Sequence, residues 1–159
     1  MASMTDPMNA LVQLQLALDR QIVSLHQCEI HKDILVIVDQ PNGKPRYTYA
    51  KVNSDRVNSI AIFALAEPVK GIPCFQMGWA TVESMRGQGL ATDTTSKGVD
   101  ELQNRRRKHG GGKFYLEAIV ADINQPSNRL AKKLLSGSPV RCTDVFSGEP
   151  AVQYLRLIE

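Results

Sequence analysis

The stretch from Cys74 to Leu135 constrains this chain more than any other. It opens with Cys74-Phe-Gln-Met-Gly-Trp-Ala-Thr-Val82, an apolar run of strand length, and passes through Arg86-Gly-Gln-Gly-Leu-Ala91 into a long helical segment. Phe114–Val120 follows, and then Asn124-Gln-Pro-Ser-Asn-Arg-Leu130. The order is strand, glycine turn, helix, strand, polar turn, helix. A strand–helix–strand unit of this length implies a parallel crossover.

The glycine turn suits an anion. Gly87 and Gly89 can take positive φ and leave their amides uncovered by side chains. The first N–H groups of the helix have no internal partner and carry partial positive charge. A diphosphate can sit there without a charged side chain. Thr92, Asp93 and Thr94 come next, as expected of a first helical turn. The spacing excludes two commoner phosphate loops. No Gly-Lys-Ser/Thr completes a Walker loop, and Thr92 stands where the dinucleotide fingerprint needs glycine or alanine. A tight strand-to-helix turn without a ligand has the same local pattern.

The wider stretch carries more. Arg86-x-x-Gly89-x-Ala91 after an apolar strand resembles the Arg/Gln-x-x-Gly-x-Gly/Ala signature of the GNAT superfamily of N-acetyltransferases. Val120-Ala-Asp-Ile-Asn124 resembles that family's Val-x-x-x-Asn. Asn124, Ser127 and Leu130 fit its Asn-x-x-Ala/Ser-x-x-Leu. The resemblance implies that the loop amides hold the pyrophosphate of coenzyme A, with acetyl-CoA as cofactor. The implied contacts are the strand end Ala80, Thr81 and Val82, the loop Arg86, Gly87, Gln88, Gly89, Leu90, Ala91 and Thr92, and then Asn124 and Ser127. It further implies acetyl transfer to a primary amine on a small molecule or protein, in a cytoplasmic enzyme that has room to be a homodimer. Two departures matter. Ala131 replaces the Tyr that is the family's usual general acid, and Leu135-Ser136 replaces its Gly-Phe. The link from Val82 to Arg86 is also one residue short and lacks the usual Pro.

Around this stretch the chain reads as short elements. Leu11, Leu14, Leu18, Ile22 and Leu25 recur at helical steps over Met8–Leu25, with Pro7 in the first turn and residues 1–6 loose. Strands are expected at 34–38, 46–52, 59–66 and 74–82, the first four being antiparallel and joined by short turns. Asn42-Gly43 is a hairpin signal, and Glu67–Pro73 reads as a connecting turn. The helix after Ala91 carries Val99 and Leu102 inward, tolerates Gly98 at some cost, and stops at Gly110-Gly-Gly112. A strand at 114–120, a helix at 126–135 ended by Gly137–Pro139, and strands at 141–146 and 151–158 complete the chain. The expected class is α/β: one domain over residues 1–159, a mostly antiparallel sheet with a parallel strand–helix–strand core and helices on both faces.

Composition bounds function only loosely. A 43% apolar, 22% charged chain of 159 residues builds an ordinary core. No apolar run approaches the ~18 residues that span a bilayer, and no secretory leader is visible. Three scattered cysteines and three scattered histidines suggest neither a disulfide framework nor a metal site. Arg105-Arg-Arg-Lys108 supplies much of the net charge of +3. It reads as the cation-favoured end of a helix, the alternative being an RNA, DNA or acidic-protein contact.

Acyl transfer from a thioester to an amine needs a polarised carbonyl and an amine that loses a proton. Glu117, inside the strand beside the presumed cleft, is the candidate base, with Glu83 as an alternative; a solvent-facing strand position is its plainer reading. Tyr154 is the candidate acid in place of the missing Tyr; its plainer reading is a half-buried sheet aromatic. Asn124 has two compatible roles, pantetheine contact and helix cap. Trp79 and Phe75 read as core. The alternatives to an enzyme acting on a free amine are a non-catalytic acyl-CoA-binding module, and acetylation of an RNA-borne amine through the basic run.

Overall fold

A computed structural model describes residues 6–135 and 138–159. Of the terminus expected to be loose over residues 1–6, residues 1–5 lie outside the described residues, as does the Gly137 helix stop, while Asp6 caps the first helix by accepting the Met8 amide at 3.2 Å. Three helices, α1 (Pro7–Asp19), α2 (Leu90–Lys108) and α3 (Gln125–Leu135), accompany eight strands. The strands are β1 (His26–Gln27), β2 (Leu35–Asp39), β3 (Arg46–Asn53), β4 (Arg56–Val69), β5 (Ile72–Thr81), β6 (Phe114–Ala121), β7 (Val140–Thr143) and β8 (Pro150–Ile158). The hydrogen-bonded order is β1-β2-β3-β4-β5-β6-β8-β7. β5 and β6 pair in parallel, while β1–β2, β2–β3, β3–β4, β6–β8 and β7–β8 are antiparallel. The chain forms two compact units, Met1–Ala64 with Gly78–Gly111, and Leu65–Met77 with Gly112–Glu159.

In the first unit, strand alternation sends β3 and β4 side chains to two faces. Ala50, Ile60 and Ile62 pack with Leu11 of α1 and with the half-buried Leu14 and Leu18. Tyr49 and Phe63, on the opposite face, meet edge-on with centroids 5.7 Å apart. Gly98 of α2 seats against those rings: a Cβ there would lie 2.9 Å from Phe63 Cε2 and 3.2 Å from Tyr49 Cδ2. The missing side chain is therefore what lets α2 approach. Helices on both faces of the sheet, as expected, are realised within this unit.

Glu101 fixes α2 from another direction. It is 5% exposed, and its carboxylate accepts the backbone N–H groups of Glu29, Ile30 and His31 at 2.6–3.2 Å. Charge-assisted bonds of this kind are the strong ones. On α1, Gln15 accepts the Val57 amide at 2.7 Å and donates to the Asp55 carbonyl at 2.9 Å, tying that helix to the β3–β4 turn.

Several boundaries differ from expectation. Helix α1 stops at Asp19 rather than Leu25, because Gln21 turns left-handed at φ 56°. The Ile22 and Gln21 amides then return to Ala17 and Leu18 carbonyls, a Schellman-type closure. β4 and β5 run further than expected. Their turn is only Lys70-Gly71, at φ 52° and 76°, the pattern of a tight primed hairpin turn; Pro68 and Pro73 sit near strand ends, where a missing donor is tolerated. β7 covers Val140–Thr143 instead of 141–146, since an Asp144-centred turn takes the Phe146 amide at 2.9 Å. β1 had no sequence signal. Helix α2 ends as expected at the glycines, with Gly110 at φ 75° and the Gly111 amide returning to the Arg106 carbonyl.

In the second unit, α3 buries Leu130, Ala131 and Leu135. Phe75, 2% exposed, meets Phe114 edge-on at 5.7 Å. The reading of Phe75 as core holds; Trp79 is half-buried.

Gly98→Ala should destabilise despite a helix-propensity gain of about 1 kcal/mol, because overpacking against two aromatic rings costs roughly 1–3 kcal/mol. Urea unfolding should show a lowered midpoint, and a raised one would contradict the close approach. Glu101→Gln replaces one acceptor oxygen with an N–H donor facing backbone donors. It should cost about 2–3 kcal/mol, the scale of a charge-assisted bond lost in a buried site, again read by urea unfolding.

Candidate active site

β5 ends at Thr81, 7% exposed. Its hydroxyl lies 3.1 Å from that of Ser59, which also donates to the Ala80 carbonyl at 3.2 Å. The Val82 amide donates to Asn58 at 2.9 Å. The strand end is thus fixed on its β4 side before the chain leaves it. A short 3-10 turn, Glu83–Met85, carries it to Arg86, which remains extended at φ −72° and ψ 155°.

The next residues have the geometry expected of an anion loop. Gly87 and Gly89 are left-handed at φ 78° and 77°, and Gly89 is the N-cap of α2. Nothing lies within 4 Å of a Cβ built on either. The first backbone bond of the helix is Asp93 N–H to the Gly89 carbonyl at 3.0 Å, so the amides just before Asp93 precede the helical ladder. Gly87, Gln88 and Gly89 are exposed, and Leu90, Ala91 and Thr92 half-buried. Asp93 brings negative charge to this turn, but Lys97 pairs with it at 3.0 Å. Lys97 also pairs with Asp33, and these carboxylates push its ammonium pKa up.

Arg86 is exposed but bonded within the protein. Its Nε donates to the Thr81 carbonyl at 3.0 Å and its terminal nitrogen to Met8 Sδ at 3.6 Å. It braces the loop against the strand end.

The remaining predicted residues lie in the second unit. Asn124 precedes α3 and its Oδ1 accepts the Ser127 amide at 3.2 Å, the N-cap arrangement. β5 and β6 pair only from Cys74↔Tyr115 to Gln76↔Glu117, so Glu117 occupies the last paired position. It is half-buried and its Oε2 accepts from Gln153 Nε2 at 2.6 Å. Burial first, and the Glu117 charge second, push the Cys74 thiol up to about 11; that sulfur is a buried hydrophobe rather than a nucleophile.

Tyr154 is 2% exposed, not half-buried. Its hydroxyl donates to Asn128 Oδ1 at 2.7 Å, while Asn128 Nδ2 donates to the Ala121 and Asn124 carbonyls at 3.0 and 2.8 Å. Burial, with the Asp122 charge behind it, raises the phenol pKa. The β6–β8 register sets which faces the candidate base Glu117 and the candidate acid Tyr154 occupy. Glu117 stands opposite Leu155, and Tyr154 opposite Ala118. Successive residues of a strand point to opposite faces, so the two side chains leave the sheet on opposite sides. Asn128 and Gln153, which hold these groups, were not read from the sequence. Their roles depend on a register that no local pattern specifies.

No family model and no curated protein sequence matches the chain. Its structure does match solved ones. A ribosomal-protein-S5-alanine acetyltransferase from Vibrio fischeri matches at a TM-score of 0.54 with 10% identity, over 73% of this chain and 62% of that one. A ribosomal L7/L12 alpha-N-protein acetyltransferase in complex with coenzyme A gives 0.50 and 18%, over 71% and 62%. A protein described as a GNAT-family acetyltransferase from Desulfovibrio desulfuricans gives 0.50 and 13%, over 69% and 67%. The chain spans less than two thirds of the length of both ribosomal-protein acetyltransferases. At these identities the likeness concerns the fold, and it agrees with the motif resemblance in Arg86–Leu130: the chain has the fold of the GNAT-superfamily acetyltransferases.

Proposed function

We propose that this protein binds acetyl-CoA and transfers its acetyl group to a primary amine. The observation that carries the reading is the Arg86–Ala91 loop. Two left-handed glycines there open directly onto a helix start that no side chain caps. That donor set fits a diphosphate, since both backbone N–H groups and the helix dipole favour negative charge. The strand end Ala80–Val82 and the residues Asn124 and Ser127 are the further cofactor contacts proposed. The cofactor would supply an acyl thioester, so no protein nucleophile is required.

Glu117 is the proposed base. Its carboxylate is held by Gln153, is half-buried, and stands where β5 and β6 cease to pair. It would take a proton from the attacking amine, directly or through water. For the leaving thiolate, an ordinary thiol pKa near ~8.5 makes departure without an acid workable. The Tyr154 proton is already given to Asn128, so its hydroxyl acts as a tie between β8 and the start of α3. The same observations, with Ala131 fully buried, favour the second reading, an acyl-CoA-binding module without turnover. The acceptor is proposed only as an amine-bearing small molecule or protein. The basic run gives the RNA reading little support: Arg105 lies over the Tyr47 ring at 5.4 Å, and Lys108 pairs with Glu29 at 2.6 Å.

Coenzyme A should raise the melting temperature of the wild type, because it binds the folded state. Gly89→Asp should abolish that shift through charge repulsion at the diphosphate. Gly89→Asn, which carries the same backbone strain without the charge, should retain much of it. Equal loss in both variants, or no shift in the wild type, would contradict the assignment. Tyr154→Phe should reduce turnover less than about threefold, against the ~100-fold or more of a lost general acid, while lowering stability by about 1 kcal/mol for the lost hydrogen bond. Free-thiol release with a responsive amine measures the first, and urea unfolding the second. A hundredfold loss of turnover at unchanged coenzyme A affinity would restore Tyr154 as the acid.

A further inference from the structure

A cavity lies in the first unit, at the far end of α2 from the glycine loop. It has a volume of about 490 Å³ and runs between the C-terminal half of α2 and the β1–β3 edge of the sheet. That size is within the range of small-molecule sites. The register builds its floor. His26 stands opposite Val36, Val36 opposite Tyr49, and Val38 opposite Tyr47, so these residues share the face that α2 covers. Val23, Val36 and Val38 give the cavity an apolar wall.

Two donors stand beside this wall. Tyr49 is 1% exposed, and its hydroxyl has no hydrogen-bond partner among the described residues. Arg105 lines the same cavity and lies over the face of the Tyr47 ring, with its charge also felt at the Glu29 carboxylate. Burial chiefly raises the phenol pKa; the Arg105 charge lowers it and the Glu101 charge raises it, so both lie near the hydroxyl. The carboxylates nearby are already engaged. Glu101 takes three backbone amides, and Glu29 takes Lys108 at 2.6 Å and Asn104 at 2.9 Å. His109 Nδ1 lies 2.9 Å from the Arg105 carbonyl. An orphaned buried phenol, beside a half-buried guanidinium and an apolar wall, suits an anionic head on an apolar body, since a buried polar group without a partner is costly.

We propose that this cavity is a binding site for a small organic carboxylate, distinct from the glycine loop, with Arg105 and Tyr49 as its donors and the Val36–Val38 strand against its apolar part. The carboxylate accepts from the guanidinium and the phenol, and no bond is made or broken.

The test uses the full chain and sodium benzoate as probe, with neutral benzamide as control, followed by amide NMR shifts during titration. Benzoate should give saturable shifts at residues 36–38, 49 and 101–109, and benzamide should bind at least tenfold more weakly. Arg105→Gln should weaken benzoate at least tenfold, and Tyr49→Phe severalfold. Both variants should keep the wild-type response to coenzyme A, which separates this site from the proposed cofactor site. If Tyr49→Phe fails to fold, Arg105→Gln and the benzamide comparison still decide. Absent shifts, equal binding of benzamide, or unchanged benzoate affinity in Arg105→Gln would each overturn the proposal.

Discussion

The contact on which the first unit most depends is a single carboxylate buried under three backbone amides. Glu101 sits on α2 and takes the N–H groups of Glu29, Ile30 and His31. A buried carboxylate without such partners would be strongly disfavoured; with them it locks the helix to the segment before β2. Gly98, one turn earlier, lets the helix backbone come down onto Tyr49 and Phe63. Together these fix both the rotation and the height of α2. The first turn of that same helix carries the Gly89 cap, so the placement of the loop amides follows from contacts made two and three turns away. Arg86 adds a local brace to the Thr81 carbonyl. A diphosphate site made of backbone needs such support, because it has no side chains to adjust.

The second unit is governed by register. The antiparallel ladder from Phe114↔Ile158 to Ala121↔Ala151 decides which β6 and β8 side chains share a face. It places Glu117 with Gln153 on one side and Tyr154 beneath α3 on the other. A shift of one residue would exchange these roles throughout. The Tyr154–Asn128 bond and the two bonds from Asn128 Nδ2 also tie the end of β6, the start of α3 and β8 into one corner. That is a structural task which any acid role would have to interrupt.

How much of this is legible in the sequence follows from how local each signal is. The Gly87 and Gly89 turn, the Gly110 stop and the Asn42-Gly43 hairpin are set by backbone preferences within a few residues, and all appear where expected. The β-branched and apolar runs place β2 to β6 and β8 within a few residues. The end of α1 was not legible, because Gln21 adopts a left-handed backbone that its side chain does not announce. β1 has two residues and no period to read. Glu101 looks like an ordinary helix-surface charge, since the amides that bury it lie some seventy positions earlier. The glycine loop and the helix it opens were therefore readable as one piece of chain. The faces of Glu117 and Tyr154 were not, because they depend on pairing between distant strands.

On the function proposed above, the amides of Gly87 to Thr92 hold the diphosphate of coenzyme A. Titrating coenzyme A into isotope-labelled protein and following backbone amide shifts tests this directly, with 3′-dephospho-coenzyme A compared to isolate the diphosphate from the third phosphate. The account predicts that the largest shifts fall on Gly87, Gln88, Gly89 and the first turn of α2, and that they persist with the dephospho compound. Shifts centred away from this loop, or shifts there that vanish when only the 3′-phosphate is removed, would contradict it.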